Sequence, residues 1–262
     1  MAKPKGIIIY EGKSLIDGKQ IVVVVTGWRG TKNPKTGPML QTWILCKNVS
    51  VIDAWMKGKD KSVCGDCKHR RWGTCYVNIF QAPENVWGAY KRGSYETLSI
   101  HNIHNFKGYE LRVGSYGEPA AIPFEIWDSL CKVADGFNGY THQWSTCDKR
   151  LRNICMASVD TELEAKKAQK AGWRTFRMIL PHEKMKQNEL LCPASIEAGK
   201  KTTCDKCLAC AGKSAKLKKN IVIYPHGGYG KAARFLKIME LRRKKKGFSH
   251  LVPKIIRHKV HS

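Results

Sequence analysis

Four cysteines lie within nineteen residues of one another: Cys192, Cys204, Cys207 and Cys210. The last three repeat at two-residue spacing. A C-x2-C pair grips one metal ion from both sides of a tight turn. Tetrahedral Zn²⁺ takes four such thiolates, and iron-sulfur clusters take cysteine thiolates as well. These four residues therefore form a complete ligand set from one local segment, with Zn²⁺ expected and an iron-sulfur cluster as the alternative. Left unligated, they would be free or disulfide-bonded cysteines.

A second set lies upstream, where Cys64 and Cys67 form a C-x2-C pair and Cys75 adds a third ligand. The fourth position is open to His69, to Cys46 returning from a preceding strand, or to an exogenous group. The bland alternative is a structural knuckle that pins a loop. Between these cysteines stand Arg70, Arg71 and Trp72, and further on Lys91 and Arg92. Guanidinium groups bind phosphate in a fork and an indole stacks on a base, so these residues are expected to contact DNA or RNA.

The chain has 262 residues, enough for a large core, and its apolar content is ordinary for a folded protein. Its eleven cysteines are an odd number, so they cannot all pair within one chain. The start carries no long apolar core of a signal peptide, and no run of eighteen apolar residues exists. These features predict a reducing, intracellular compartment with metal-bound thiolates and no membrane partner. A formal net charge of +26 predicts an acidic partner, foremost nucleic acid.

The cysteine loops need elements to hold them. Residues 6–10, 20–28 and 39–46 read as strands, with Asn33-Pro34-Lys35-Thr36-Gly37 as a turn. A helix is expected over 78–92, interrupted at Pro83. The middle of the chain alternates strand and helix: strands at 110–113, 139–144, 154–159, 173–180 and 221–224, and helices at 123–133 and 161–171. That rhythm predicts an α/β fold with a mostly parallel or partial-barrel sheet. Three regions are expected: a β-rich segment at 1–60, an α/β core at 61–212 with both cysteine loops, and a final strand with a basic extension at 213–262. In parallel sheets, sites gather at the carboxyl ends of strands. Ser115, Tyr116, His142, Gln143, Asp160, Arg177 and His182 are the candidate pocket residues on that ground. The extension holds fifteen Lys or Arg against one acidic residue, Glu240. Its block Arg242-Arg243-Lys244-Lys245-Lys246 is suited to salt-dependent phosphate binding on a helix docked through Phe235 and its neighbours.

In order and motif, Cys64 through Cys75-Tyr76, Gly114-Ser115-Tyr116-Gly117, Gly139-Tyr140-Thr141-His142-Gln143-Trp144, Met156-Ala157-Ser158-Val159-Asp160, Gly172-Trp173-Arg174-Thr175-Phe176-Arg177 and Cys192 through Cys210 resemble a group of cysteine-rich phage proteins of unknown function. The resemblance covers residues 30–230 and implies a cytoplasmic role in an infected bacterial host. The layout also distantly resembles the partial barrels of radical-SAM enzymes, although the spacing of Cys64, Cys67 and Cys75 departs from their C-x3-C-x2-C pattern. His101 and His104 stand two residues apart, which does not match the metal motif of replication nickases. The expected function is a metal-stabilised nucleic-acid-binding protein of phage type, with a zinc or iron-sulfur metalloenzyme acting on nucleic acid as the alternative.

Overall fold

The computed structural model describes residues 3–31, 33–199, 201–225 and 229–245. The chain opens with three strands, β1 (Ile7–Lys13), β2 (Gln20–Thr26) and β3 (Leu40–Cys46), paired antiparallel in that order. Ile21 to Val25 are all buried, because β2 is inner to the sheet and covered on both faces. Short helices follow: α1 (Val51–Met56), α2 (Lys61–Cys64), α3 (Lys68–Trp72) and α4 (Ala82–Lys91). Ser50 caps α1 through its hydroxyl, which accepts from the Asp53 N–H at 3.1 Å. Pro83 stands in the first turn of α4. The expected interruption is thus the helix start, where a missing N–H costs nothing.

The alternating region begins after the two-residue β4 (Glu96–Thr97), with β5 (Glu110–Tyr116), α5 (Phe124–Val133), β6 (Gly136–Thr141), β7 (Met156–Val159), α6 (Glu162–Lys170) and β8 (Thr175–Met178). It continues through β9 (Glu189–Leu191), α7 (Cys204–Cys207), β10 (Asn220–Ile223) and α8 (Tyr229–Lys245). The ten strands form one open sheet in the order β4-β1-β2-β3-β5-β6-β7-β8-β10-β9. Every pairing from β3 to β9 along that order is parallel. The β-rich N-terminal segment is therefore one flank of the same sheet as the α/β core. Strand β6 begins three residues earlier than the glycine-rich sequence predicts, since Gly136 to Gly139 pair with Glu110 to Val113. Among the described residues, no helix is long and apolar enough to cross a membrane.

Side chains alternate between the two faces of each strand. One face carries Leu111, Val113, Ala157 and Val159, which pack with Trp127 and Leu130 of α5 and Ala165 and Ala168 of α6. The other carries Arg112, Asn138, Tyr140, Ser158, Phe176, Met178 and Ile221, over which the cysteine loops lie. The fold thus separates a helix-covered structural face from a cysteine-covered face.

At the far flank, Arg177 of β8 forks onto both carboxylate oxygens of Glu189 on β9 at 2.8 Å each, with Glu183 at 3.3 Å. Both Arg177 and Glu189 side chains are 2 % exposed. Removing one charge leaves the other buried without compensation. Arg177→Met is expected to cost about 3–5 kcal/mol, and Arg177→Met with Glu189→Leu to recover most of it. Urea denaturation of both variants checks this; a double variant no more stable than the single one contradicts it.

Candidate functional site

A cavity of about 370 Å³ opens on the cysteine-covered face. Cys64, Cys67 and Cys75 line it from one side, and Cys192, Cys204, Cys207 and Cys210 from the other. The sequence treats these as two sites, and the fold brings all seven into one chamber. Strand residues Arg112, Asn138, Tyr140, Ser158, Phe176 and Met178 complete the wall.

Local backbone chemistry holds the second loop in place. Leu208 ends α7 in the left-handed region with φ 46°, and its side chain lies where a Cβ on Gly136 would stand. The Cys204 and Asp205 N–H groups donate to the Lys35 and Thr36 carbonyls at 3.0 and 3.2 Å, docking the loop on the N-terminal turn. Arg174, buried at the start of the strand β8 region, donates to the carbonyls of Ala209 at 2.9 Å and Gly212 at 2.6 Å, and to that of Lys219. On the other side, Gly73 closes α3 with φ 63°, and Gly65 turns the chain with φ 56° against the Gln143 side chain. Helix α8 packs over this first loop. Phe235 stacks on His69 with centroids 5.6 Å apart, and the Lys231 ammonium donates to the Val77 carbonyl at 3.0 Å.

All eleven cysteines are free thiols. Burial raises Cys64, Cys67, Cys75, Cys192 and Cys204 above the ordinary thiol value, and pushes Cys210 to about 12 although the Tyr140 hydroxyl opposes the rise. Within each set the sulfurs lie near enough to feel one another's charge. The donor chemistry suits a thiophilic ion. As placed, no three Cys, His, Asp or Glu side chains among the described residues converge tightly enough to hold one. Ligation would require the loops to contract and the thiols to lose their protons.

Among the described residues, the first set has three thiols and no fourth ligand beside them. Cys46 lies outside the cavity, its thiol donating to the Lys59 carbonyl at 3.7 Å. Both nitrogens of His69 are engaged, Nδ1 with the Thr74 hydroxyl at 2.8 Å and Nε2 with Asp160 at 3.0 Å. With Asp160 ionised, Nε2 carries the proton and donates. Asp160 is buried, which raises its carboxyl, but the bond and charge of His69, with His142 and Lys68, outweigh burial and hold it below the usual value. Lys68 is shared between Asp160, at 3.7 Å, and Glu164. His142 and Ser158 separate this cluster's own cavity from the main one, each lining both.

Of the remaining predicted pocket residues, Ser115 and Tyr116 line the main cavity and Gln143 the smaller one. The Ser115 hydroxyl donates to Gln41 at 2.7 Å. Arg177 is consumed by Glu189, and His182 is exposed away from both cavities. Among the predicted nucleic-acid contacts, Arg70 is paired with buried Asp60, whereas Arg71 is 68 % exposed. Trp72 lies under the Arg242 guanidinium, 5.2 Å from its ring centroid. Lys91 and Arg92 are exposed at the end of α4, with Lys91 over the Trp87 ring. Arg243, Lys244 and Lys245 close α8, and Lys246 lies outside the described residues.

Four residues of this region are absent from the sequence-level expectation: Arg112, Glu118, Asn138 and Arg174. Glu118 is buried at the cavity edge and accepts from the His142 N–H at 2.9 Å. Burial raises its carboxyl, against the opposing charge of His142. The one available signal was the position of Glu118 just past a strand end.

Asp160→Asn is expected to cost about 1–3 kcal/mol at neutral pH, since the His69 bond loses its charge assistance. The folded carboxyl titrates below its unfolded value. The wild-type advantage is therefore full above about pH 4 and fades as pH falls below it. Urea midpoints of both proteins across that range read the effect; a constant gap at every pH contradicts it. Comparison with protein-family models, with curated proteins and with solved structures finds no match to this chain.

Proposed function

We propose that this chain is a metal-dependent protein that acts on nucleic acid, with Zn²⁺ or an iron-sulfur cluster held by the cavity cysteines. The observation that carries this reading is that seven cysteines from two distant loops line one chamber. A zinc knuckle that only pins a loop buries its ligands locally and needs no chamber. On contraction, the three-thiolate set beside polar residues would leave a fourth ligand position open, as catalytic zinc sites do. Cys192, Cys204, Cys207 and Cys210 are the closed, four-thiolate set of this proposal. A bound dication would supply Lewis acidity at the chamber. The chain's own contribution is to hold the four-thiolate loop through Arg174 and the Lys35–Thr36 turn, and to orient His69 beside the first set through Asp160. The +26 charge supports nucleic acid as the partner, and the resemblance to cysteine-rich phage proteins supports an intracellular setting in an infected bacterium.

The second reading is a nucleic-acid-binding protein in which both metal sites are structural. It is favoured by the packing of the basic helix α8 directly on the first cysteine loop through Phe235 and Lys231. Elemental analysis and an absorption spectrum on anaerobically purified protein, followed by an assay for cleavage or modification of labelled DNA and RNA, separate the two. Iron with matching sulfide and a visible chromophore supports the enzyme; with about two colourless zinc ions, a change in the nucleic acid supports the enzyme and binding without change supports structural sites. Absence of any bound metal overturns both.

Arg71 and Arg70 give a paired test of the interface. Arg71→Ala is expected to lower the slope of log affinity against log salt by about 1 while leaving stability unchanged. Arg70→Ala is expected to destabilise the fold by about 3 kcal/mol, because it strands buried Asp60. Filter binding across a salt series and urea denaturation read the two effects. Equal loss of nucleic-acid affinity from both, with stability unchanged in both, contradicts the assignment.

A further inference from the structure

Arg112 stands in the cavity wall without a carboxylate. Its Nη2 donates to the Tyr76 hydroxyl at 3.0 Å, and its guanidinium lies 5.8 Å from the Tyr140 ring centroid. Among the described residues no acidic side chain pairs with it. A guanidinium stays charged at any ordinary pH, so the cavity wall carries a cation at this point. The one buried carboxylate of this cavity, Glu118, is spent on the His142 and Ala120 N–H groups. A guanidinium has five donors in a rigid fork that matches a planar or tetrahedral oxyanion.

Beside it is Asn138. Parallel pairing of β5 with β6 makes Arg112 and Asn138 register partners, so both side chains share the cavity face. Asn138 is 1 % exposed, its Nδ2 donates to the Met39 sulfur at 3.2 Å, and its Oδ1 has no partner. Turning the amide over leaves a polar atom unpaired just the same. Buried polar groups are almost always paired, so an exception in a cavity wall calls for a partner, and a bound ligand is one that can supply it. Tyr140 and Phe176, with centroids 4.5 Å apart, add an aromatic wall next to both groups. The cavity volume of about 370 Å³ is that of a small-molecule site, for which about 300–1,000 Å³ is usual.

We propose that the cavity binds a small molecule whose oxyanion, a carboxylate or a phosphate, is held by Arg112 and whose adjacent N–H is taken by Asn138, in front of the Tyr140 and Phe176 rings. This deepens the enzyme reading by naming the ligand class of the same chamber. The competing role for Arg112 is as counter-charge to the neighbouring Cys204 thiolate.

Isothermal titration of the full chain with inorganic phosphate and, separately, with glycine tests the proposal and separates the two oxyanion sources. Metal content and melting temperature are measured on each variant. The wild type is expected to bind at least one probe, and Arg112→Gln to weaken it about tenfold or more, as loss of a charged hydrogen bond does. Asn138→Asp, which sets a like charge beside the oxyanion, is expected to weaken it as well. Should Arg112→Gln not fold, Arg112→Lys keeps the charge beside Cys204 but loses the fork, and is expected to bind the probe more weakly at unchanged metal content. Probe binding equal in wild type and Arg112 variants, or absent from the wild type, overturns the proposal. So does a loss of metal in Arg112→Gln with wild-type probe binding by Arg112→Lys. Because binding is read without turnover, metal-loaded protein that ignores both probes refutes this inference alone, whereas protein without metal refutes the reading beneath it.

Discussion

The cysteine face depends on one buried guanidinium. Arg174 stands where the sheet meets the loop 192–219 and donates to three backbone carbonyls, those of Ala209, Gly212 and Lys219. The described residues of that loop have little regular structure of their own beyond the single turn α7 and the short residues 212–214 turn. Its buried carbonyls must find donors elsewhere or the loop cannot be buried. A lysine would offer one compact charge on a flexible stem; the arginine fork reaches several acceptors at once. Each hydrogen bond to a charged group contributes about 1.5–3 kcal/mol, which offsets part of the cost of ordering the loop's end. Burial depresses the Arg174 charge while Cys210 supports it, which ties the clamp electrostatically to the cysteine it positions.

The same logic explains why the two cysteine sets meet. Parallel strands send their carboxyl ends to the same edge, and right-handed crossovers between strands added in one direction, as from β5 to β8, place the helices on one face. Helices α5 and α6 take the face of Leu111, Val113, Ala157 and Val159. The opposite face cannot be left to water with Phe176, Met178 and Ile221 on it. The loops that carry the cysteines cover it, and burial of the thiols follows from that cover. That burial holds the thiols of Cys64, Cys67, Cys75, Cys192, Cys204 and Cys210 above their ordinary value. The chamber wall is mostly apolar surface, and its polar residues include Lys35, Arg112, Glu118, Asn138, His142 and Ser158.

The basic character of the chain divides in a similar way. Lys68 and Arg70 carry positive charge in the sequence but are consumed by Asp160, Glu164 and Asp60. Trp72, read as a stacking platform, is covered by Arg242. Arg71 alone of that group is left mostly to solvent. A loop that reads as uniformly cationic is thus half structural, because a buried carboxylate such as Asp60 requires a partner.

The sequence by itself determined the class of fold, the two cysteine sets and the charge. Uninterrupted β-branched runs, alternation of strand and helix, and C-x2-C spacing are local patterns that survive without tertiary context. Most strands and helices of the α/β region lie where those patterns place them, and Ser115, Tyr116 and His142 reach the cavity because strand ends are where a parallel sheet gathers loops. What only the tertiary structure decided is pairing across distance. β9 is three residues long and exists through its pairing with β10 and the hold of Arg177 on Glu189. His69 is withdrawn from metal ligation by Asp160, ninety-one residues away. Arg112 and Asn138 become neighbours through strand register. No composition or spacing encodes such contacts, since each depends on which backbone groups and charges burial leaves in need of a partner.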